Sequence, residues 1–135
     1  MIGCRTLADV RAEPGRELVL LTRSGAFAMD PNVEQLRGNI RRLIDGAKIL
    51  GVPVAATEQY PQGLGGTAPE LAQRLGTIPS KTAFSCGECG EVFTNWRDKG
   101  LWKILVCGIE THVCVGQTVH DLLGEGFRVY VAADA

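Results

Sequence analysis

The sequence predicts a doubly wound α/β fold, a mostly parallel sheet with helices on both faces. Short, continuously apolar segments alternate along the chain with patterns of helical period. Glycines fall at the boundaries between these segments rather than in tracts. The first strand is read at Leu18–Thr22. Val33, Leu36, Ile40, Leu43, Ile44, Ala47 and Leu50 recur at steps of three and four, so a long helix follows with one apolar face. Asp30-Pro31 supplies its N-cap and a first-turn proline, and Gly51 ends it. Val52–Ala56 is the second strand, and Gly76–Thr82 is a weaker third. Short helices are expected at Pro69–Leu75 and at Glu91–Lys99, the latter stopped by Gly100. Lys103–Cys107 is the fourth strand and Phe127–Ala132 the fifth. Between them runs a helix over Thr111–Gly124, burying Val115, Val119, Leu122 and Leu123. Apolar runs without alternation suit strands covered on both faces.

The chain of 135 residues fits one domain, 1–135, with 45% hydrophobic and 21% charged residues, enough to bury a core. A formal net charge of −1 excludes a strongly basic nucleic-acid binder and an acidic tail. No apolar run reaches the ~18 residues of a membrane helix. The first residues carry Arg5, Arg11 and Arg16 without an apolar core, so no secretory signal is expected. Five irregularly spaced cysteines point to reduced thiols and a cytoplasmic protein.

Right-handed crossovers place all strand C-termini on one rim, where ligands of such folds bind. The fourth strand runs into Cys107-Gly108 and then Ile109-Glu110-Thr111-His112-Val113-Cys114, so Cys114 opens the next helix. Unpaired N–H groups and the helix dipole favour an anion there, whether a thiolate or an oxyanion. The same position also suits a small buried filler, a common fate of free cysteine. Lys81, after the weak third strand, is either an ammonium facing Cys114 or a solvated surface residue.

Gly108-Ile-Glu-Thr-His-Val-Cys114-Val, with Lys81-Thr-Ala-Phe84-Ser upstream, resembles the isochorismatase-like cysteine hydrolases. Thr57-Glu-Gln-Tyr-Pro-Gln-Gly-Leu-Gly-Gly-Thr-Ala-Pro-Glu-Leu71 resembles the subgroup of isochorismatase domain-containing proteins. The resemblance runs from about the first strand to Ala135. It implies a three-layer α/β/α fold and an Asp-Lys-Cys triad, with Cys114 as nucleophile and Lys81 as the lysine. It implies an oxyanion hole of the Glu110 and Cys114 backbone N–H groups, with a cis peptide at Ile109-Glu110. It also implies assembly into dimers or larger homo-oligomers.

Two departures stand out. Where the family has apolar-apolar-Asp-x-Gln, this chain has Leu20-Leu21-Thr22-Arg23-Ser24, so Thr22 takes the Asp position and Ser24 the Gln position. Loss of a general base costs ~10²–10⁴ in rate. Neither Asp9 nor Asp30 is in register to replace it. The family also continues past Val131–Ala135 with a helix, strand and helix. The resemblance therefore leads us to expect a C-terminally short chain, or one whose sheet edge a partner completes.

Cys86-Gly-Glu-Cys89 has no second pair to make a zinc ribbon, and it does not open a helix after the first strand as a thioredoxin motif would; it reads as two thiols on a loop. Only His112 and His120 occur, without a carboxylate set, so no metal and no cofactor is expected. Gln59, Tyr60 and His112 are candidate substrate contacts on the rim. Gly63–Gly66 reads as a rim loop, and Trp96 and Trp102 as packing residues. Together these predict hydrolysis of a C–N bond in a small amide or ureido compound through a Cys114 thioester. No nucleic acid or membrane partner is expected. The rival is a catalytically impaired homologue, with Thr22 for the triad Asp, that binds or assembles.

Overall fold

The computed structural model describes residues 17–22, as backbone, and 32–135. Strand β1 is Glu17–Thr22, followed in the described residues by helix α1, Val33–Ile49. Strands β2 (Val54–Ala56) and β3 (Glu58–Gln59) come next, then the single turns α2 (Pro61–Leu64) and α3 (Pro69–Ala72) and strand β4 (Ser80–Lys81). A 3₁₀ turn at Cys86–Cys89 leads into α4, Gly90–Asp98. Strand β5 (Lys103–Gly108), a π turn (Thr111–Val115), helix α5 (Gly116–Gly124) and strand β6 (Arg128–Val131) complete the order.

The main sheet has the order β2-β1-β5-β6, and every pairing is parallel. The predicted α/β class is therefore the observed one. A separate small parallel sheet, β3-β4, sets Gln59 opposite Lys81.

Strand β5 shows why its sequence is apolar without alternation. Ile104 and Val106 join one cluster with Phe93 and Trp96 of α4 and Val119 and Leu122 of α5. Cys107, with Leu105 packed alongside, joins the opposite cluster with Ile40, Ile44 and Ala47 of α1. Successive side chains of a strand point to opposite faces, so two covered faces require an unbroken apolar run.

The elements deviate from expectation mainly at their ends. The 76–82 stretch pairs only over Ser80–Lys81. Residues Asp30 and Pro31, read as the start of α1, lie outside the described residues; the first described bond runs from the Leu36 N–H to the Asn32 carbonyl at 3.0 Å. Leu50, placed on the buried face by periodicity, is 60% exposed, because the helix has already ended at Ile49. Leu123, expected on the buried side of α5, is also exposed; Val119 and Leu122 face the core instead. Gly51 and Gly100 adopt φ of 68° and 70°, the left-handed geometry that ends helices at glycine. Trp96 is in the core beside Phe93, with ring centroids 5.4 Å apart, while Trp102 lies half-exposed against Phe127 at 5.8 Å. No helix among the described residues is long and apolar enough to cross a membrane.

Candidate active site

The C-terminal rim of the sheet collects the candidate residues. Thr22, the last residue of β1, pairs in register with Gly108, the last residue of β5. The backbone of the Asp-equivalent position therefore lies beside the strand that leads to Cys114. Ser24, Asp9 and Asp30 lie outside the described residues.

Beyond Gly108 the chain makes a cis peptide at Ile109-Glu110 and then the π turn. The Glu110 carbonyl accepts from the Val113 N–H at 3.1 Å and from the Val115 N–H at 3.0 Å, and the second of these bonds widens the turn. Gly116 is required next to it, since a Cβ there would lie 2.9 Å from the Thr111 carbonyl oxygen. Cys114 sits in this turn, 1% exposed, yet belongs to neither apolar cluster. Cys107 is packed into one of those clusters, and burial pushes its thiol up to about 12.

Lys81 is a buried cation, 1% exposed. Its ammonium donates to Gln59 Oε1 at 2.6 Å, to the Ala83 carbonyl at 3.2 Å and to the Phe84 carbonyl at 2.5 Å. An ammonium has three protons, and three neutral acceptors take them. Gln59 is itself buried, and its Nε2 donates to the Thr82 carbonyl at 2.7 Å, so both ends of the amide serve the lysine loop. Cys86 is near enough to interact electrostatically with Lys81 and, separately, with Cys114. Burial nonetheless pushes the Cys86 thiol up, and it lies 3.2 Å from the Thr57 hydroxyl.

Tyr60 is half-exposed on the rim, with φ 38° and ψ 65°. Its ring occupies the space that a Cβ on Gly63 would need, so the Gly63–Gly66 segment begins as a helical turn folded onto Tyr60. Glu58 Oε1 accepts from the Thr67 N–H at 2.7 Å and closes the other end of that segment. His112 is 82% exposed, with Nε2 3.8 Å from Glu110 Oε2, and His120 is exposed on α5. Among the described residues, no three His, Cys, Asp or Glu side chains cluster as a metal site. An apolar cavity of about 320 Å³ lies behind the lysine loop, lined in part by Thr57, Cys86, Phe93 and Trp96 and not by Cys114.

Sequence reasoning missed the residues that hold the lysine loop. Ser85-Cys-Gly-Glu88 has the Ser-x-x-Glu spacing of a capping box, a signal that was present. Ser85 Oγ accepts from the Gly87 N–H at 3.0 Å and donates to Asp121 of α5 at 2.5 Å. The Cys86 N–H donates to Thr118 Oγ1 of α5 at 3.0 Å. The segment read as a loop with two thiols is thus a capped 3₁₀ turn tied to α5.

A parallel α/β sheet with a cysteine in the helical turn after a central strand is the arrangement that the resemblance to the isochorismatase-like proteins implies. The Isochorismatase domain model matches residues 19–135, and the chain belongs to that family. Isochorismatase domain-containing protein 2 of Homo sapiens is 44% identical over 134 residues, covering 92% of this chain and 64% of that protein. Isochorismatase domain-containing protein 1 of Danio rerio is 42% identical over 96 residues, covering 70% of this chain and 34% of that protein. The chain thus spans 34% to 64% of the length of these two relatives. The solved structure of MAR1 ribonuclease from Caenorhabditis elegans has a TM-score of 0.78 and 38% identity, over 89% of this chain and 64% of that one. N-carbamoylsarcosine amidase from Thermoplasma acidophilum shares the fold, with a TM-score of 0.74 and 18% identity over 90% of this chain and 83% of that one.

Proposed function

We propose that this chain hydrolyses a C–N bond of a small amide or ureido compound through a thioester on Cys114. The observation that carries the reading is the position of Cys114. Its sulfur is buried in the turn that leaves the sheet rim, outside both apolar clusters, and Cys86 interacts electrostatically both with it and with the Lys81 ammonium. Membership of a family of α/β hydrolases supports the reaction class.

Cys114 Sγ attacks the carbonyl carbon, forming the C–S bond. The backbone N–H groups of Glu110 and Cys114 hold the oxyanion. Collapse breaks the C–N bond, and the amine leaves with the proton that the thiol gave up. Water then cleaves the thioester, giving the acid and restoring the thiol. Lys81 acts as a fixed positive charge beside the thiolate. Tyr60 and His112, exposed on the rim, contact substrate, while Gln59 acts through Lys81. No cofactor enters this scheme. The free thiols of Cys86, Cys89 and Cys114 support a cytoplasmic setting. The exposed rim side chains Tyr60, Leu64 and Phe84 support a homo-oligomer.

The rival reading, a binding or assembly protein with impaired catalysis, is favoured by one observation: Thr22 stands opposite Gly108 where the family has its Asp. Intact-mass analysis after incubation with a panel of small amides separates the two. Acylation of Cys114 that disappears in Cys114→Ser supports the hydrolase. Failure of every amide to acylate, together with tight non-covalent retention of one of them, supports the rival. RNA cleavage that survives Cys114→Ser would replace both with the activity named for the C. elegans relative.

A further inference from the structure

We propose that Glu88, the acidic residue inside Cys86-Gly-Glu-Cys89, is a positioning residue that holds the Lys81 ammonium in place for Cys114. The inference rests on the hydrolase reading above and deepens it.

The Glu88 carboxylate places its hydrogen bonds on backbone and hydroxyl donors, and it is near enough to the Lys81 ammonium to interact with it electrostatically. Its Oε2 accepts from the backbone N–H groups of Thr82, at 2.6 Å, and Ala83, at 2.7 Å, and its Oε1 accepts from the Thr82 hydroxyl at 2.9 Å. Three donors from two consecutive residues converge on one carboxylate. Hydrogen bonds to an ionised acceptor are stronger than neutral ones. These bonds hold the Glu88 carboxyl below its usual range, with the Ala83 N–H as the largest cause. What they fix is the turn whose next two carbonyls, Ala83 and Phe84, accept from Lys81 Nζ.

The other end of the turn is fixed by the helix that follows Cys114. Asp121 accepts from Ser85 Oγ, and Thr118 Oγ1 accepts from the Cys86 N–H. The route runs from the Cys114 turn through α5 to Ser85 and Cys86, then through Glu88 to Thr82 and Ala83, and so to Lys81. Two segments separated by 33 positions, Lys81 and Cys114, are thereby held to one another by side-chain bonds to backbone. In the family resemblance Lys81 has a carboxylate partner; here Thr22 stands in that position, the lysine's described hydrogen bonds go to neutral acceptors, and Glu88 acts on it electrostatically. The geometry of the carbonyl cradle then decides where the positive charge sits.

The test uses the full chain, labelled with ¹⁵N. Buried ammonium protons that are hydrogen-bonded exchange slowly, so the Lys81 Nζ resonance reports the cradle directly. Cys114 alkylation by iodoacetamide, mapped by peptide mass, reports the charge at the sulfur without any substrate. Glu88→Ala is expected to broaden or remove the Lys81 Nζ signal and to slow Cys114 alkylation by ~5–30-fold. Glu88→Gln, which keeps one acceptor oxygen, is expected to restore part of both. Glu91→Gln, on the exposed first turn of α4, is expected to leave both unchanged. An intact Lys81 signal in Glu88→Ala overturns the inference, as does an unchanged Cys114 rate. Lys81→Met separates the two failures. A Cys114 rate that is insensitive to Lys81→Met sinks the hydrolase reading itself. A rate that falls in Lys81→Met and stays put in Glu88→Ala sinks only the role of Glu88.

Discussion

Gly116→Ala tests the proposal that the turn around Cys114 is set by backbone contact. An alanine inside a helix is favoured over glycine by ~0.8–1.0 kcal/mol. Gly38, inside α1, has no atom within 4 Å of the place its Cβ would occupy, so Gly38→Ala should stabilise by about that amount. At Gly116 the new Cβ would lie 2.9 Å from the Thr111 carbonyl oxygen. The obstacle is backbone, so the π turn itself must shift by a few tenths of an ångström. Forcing extra volume into a packed site costs ~1–3 kcal/mol. The helix preference is common to both variants and cancels in their difference. Gly116→Ala should therefore be less stable than Gly38→Ala by ~1–3 kcal/mol, which for a chain of this size is a gap of roughly 3–10 °C in Tm. Differential scanning calorimetry measures the gap, and alkylation of Cys114 should slow in Gly116→Ala alone. Equal stabilisation by the two substitutions, with Cys114 unaffected, would refute the reasoning.

Other consequences can be measured on stability alone. Lys81→Met leaves the Ala83 and Phe84 carbonyls and Gln59 Oε1 without their donor, offset in part because no charge is then buried; a net loss of roughly 1–3 kcal/mol should appear in urea unfolding. Thr118→Val keeps the shape of the side chain but strands the buried Cys86 N–H, and should cost ~1–3 kcal/mol by the same assay. The Cys107 thiol carries a pH signature. Its folded value, about 12, lies above the ordinary 9.0, so below 9.0 both folded and unfolded chains keep the proton and the thiol contributes nothing. Above 9.0 the unfolded chain releases the proton and the folded chain does not, so stability falls as pH rises. The slope approaches ~1.4 kcal/mol per pH unit from this group. Cys107→Ala should remove that part of the alkaline loss, seen as a flatter dependence of unfolding free energy on pH.

The sequence by itself determined the alternation of buried strands and helices, because a strand covered on both faces must be apolar at every position and a helix covered on one face at every third or fourth. Ile104 to Cys107 and Ile40 to Ala47 are legible for that reason. It also marked Cys114 and Lys81 as candidates, through the motifs that resemble the family, although position alone left Lys81 as readily a surface residue. Only the tertiary structure decided what surrounds Lys81. Its acceptors come from β3 and from the turn after β4, and that turn is held by Glu88, Thr118 and Asp121, which periodicity cannot bring together. A carboxylate bonded to two backbone N–H groups leaves no trace in hydrophobic pattern, and a Ser-x-x-Glu spacing says that a turn is capped without saying which amides the Glu reaches. Whether a thiol is a filler or stands apart from the core is likewise a matter of packing. Cys107 and Cys114 are equally buried, and only their neighbours in space distinguish them.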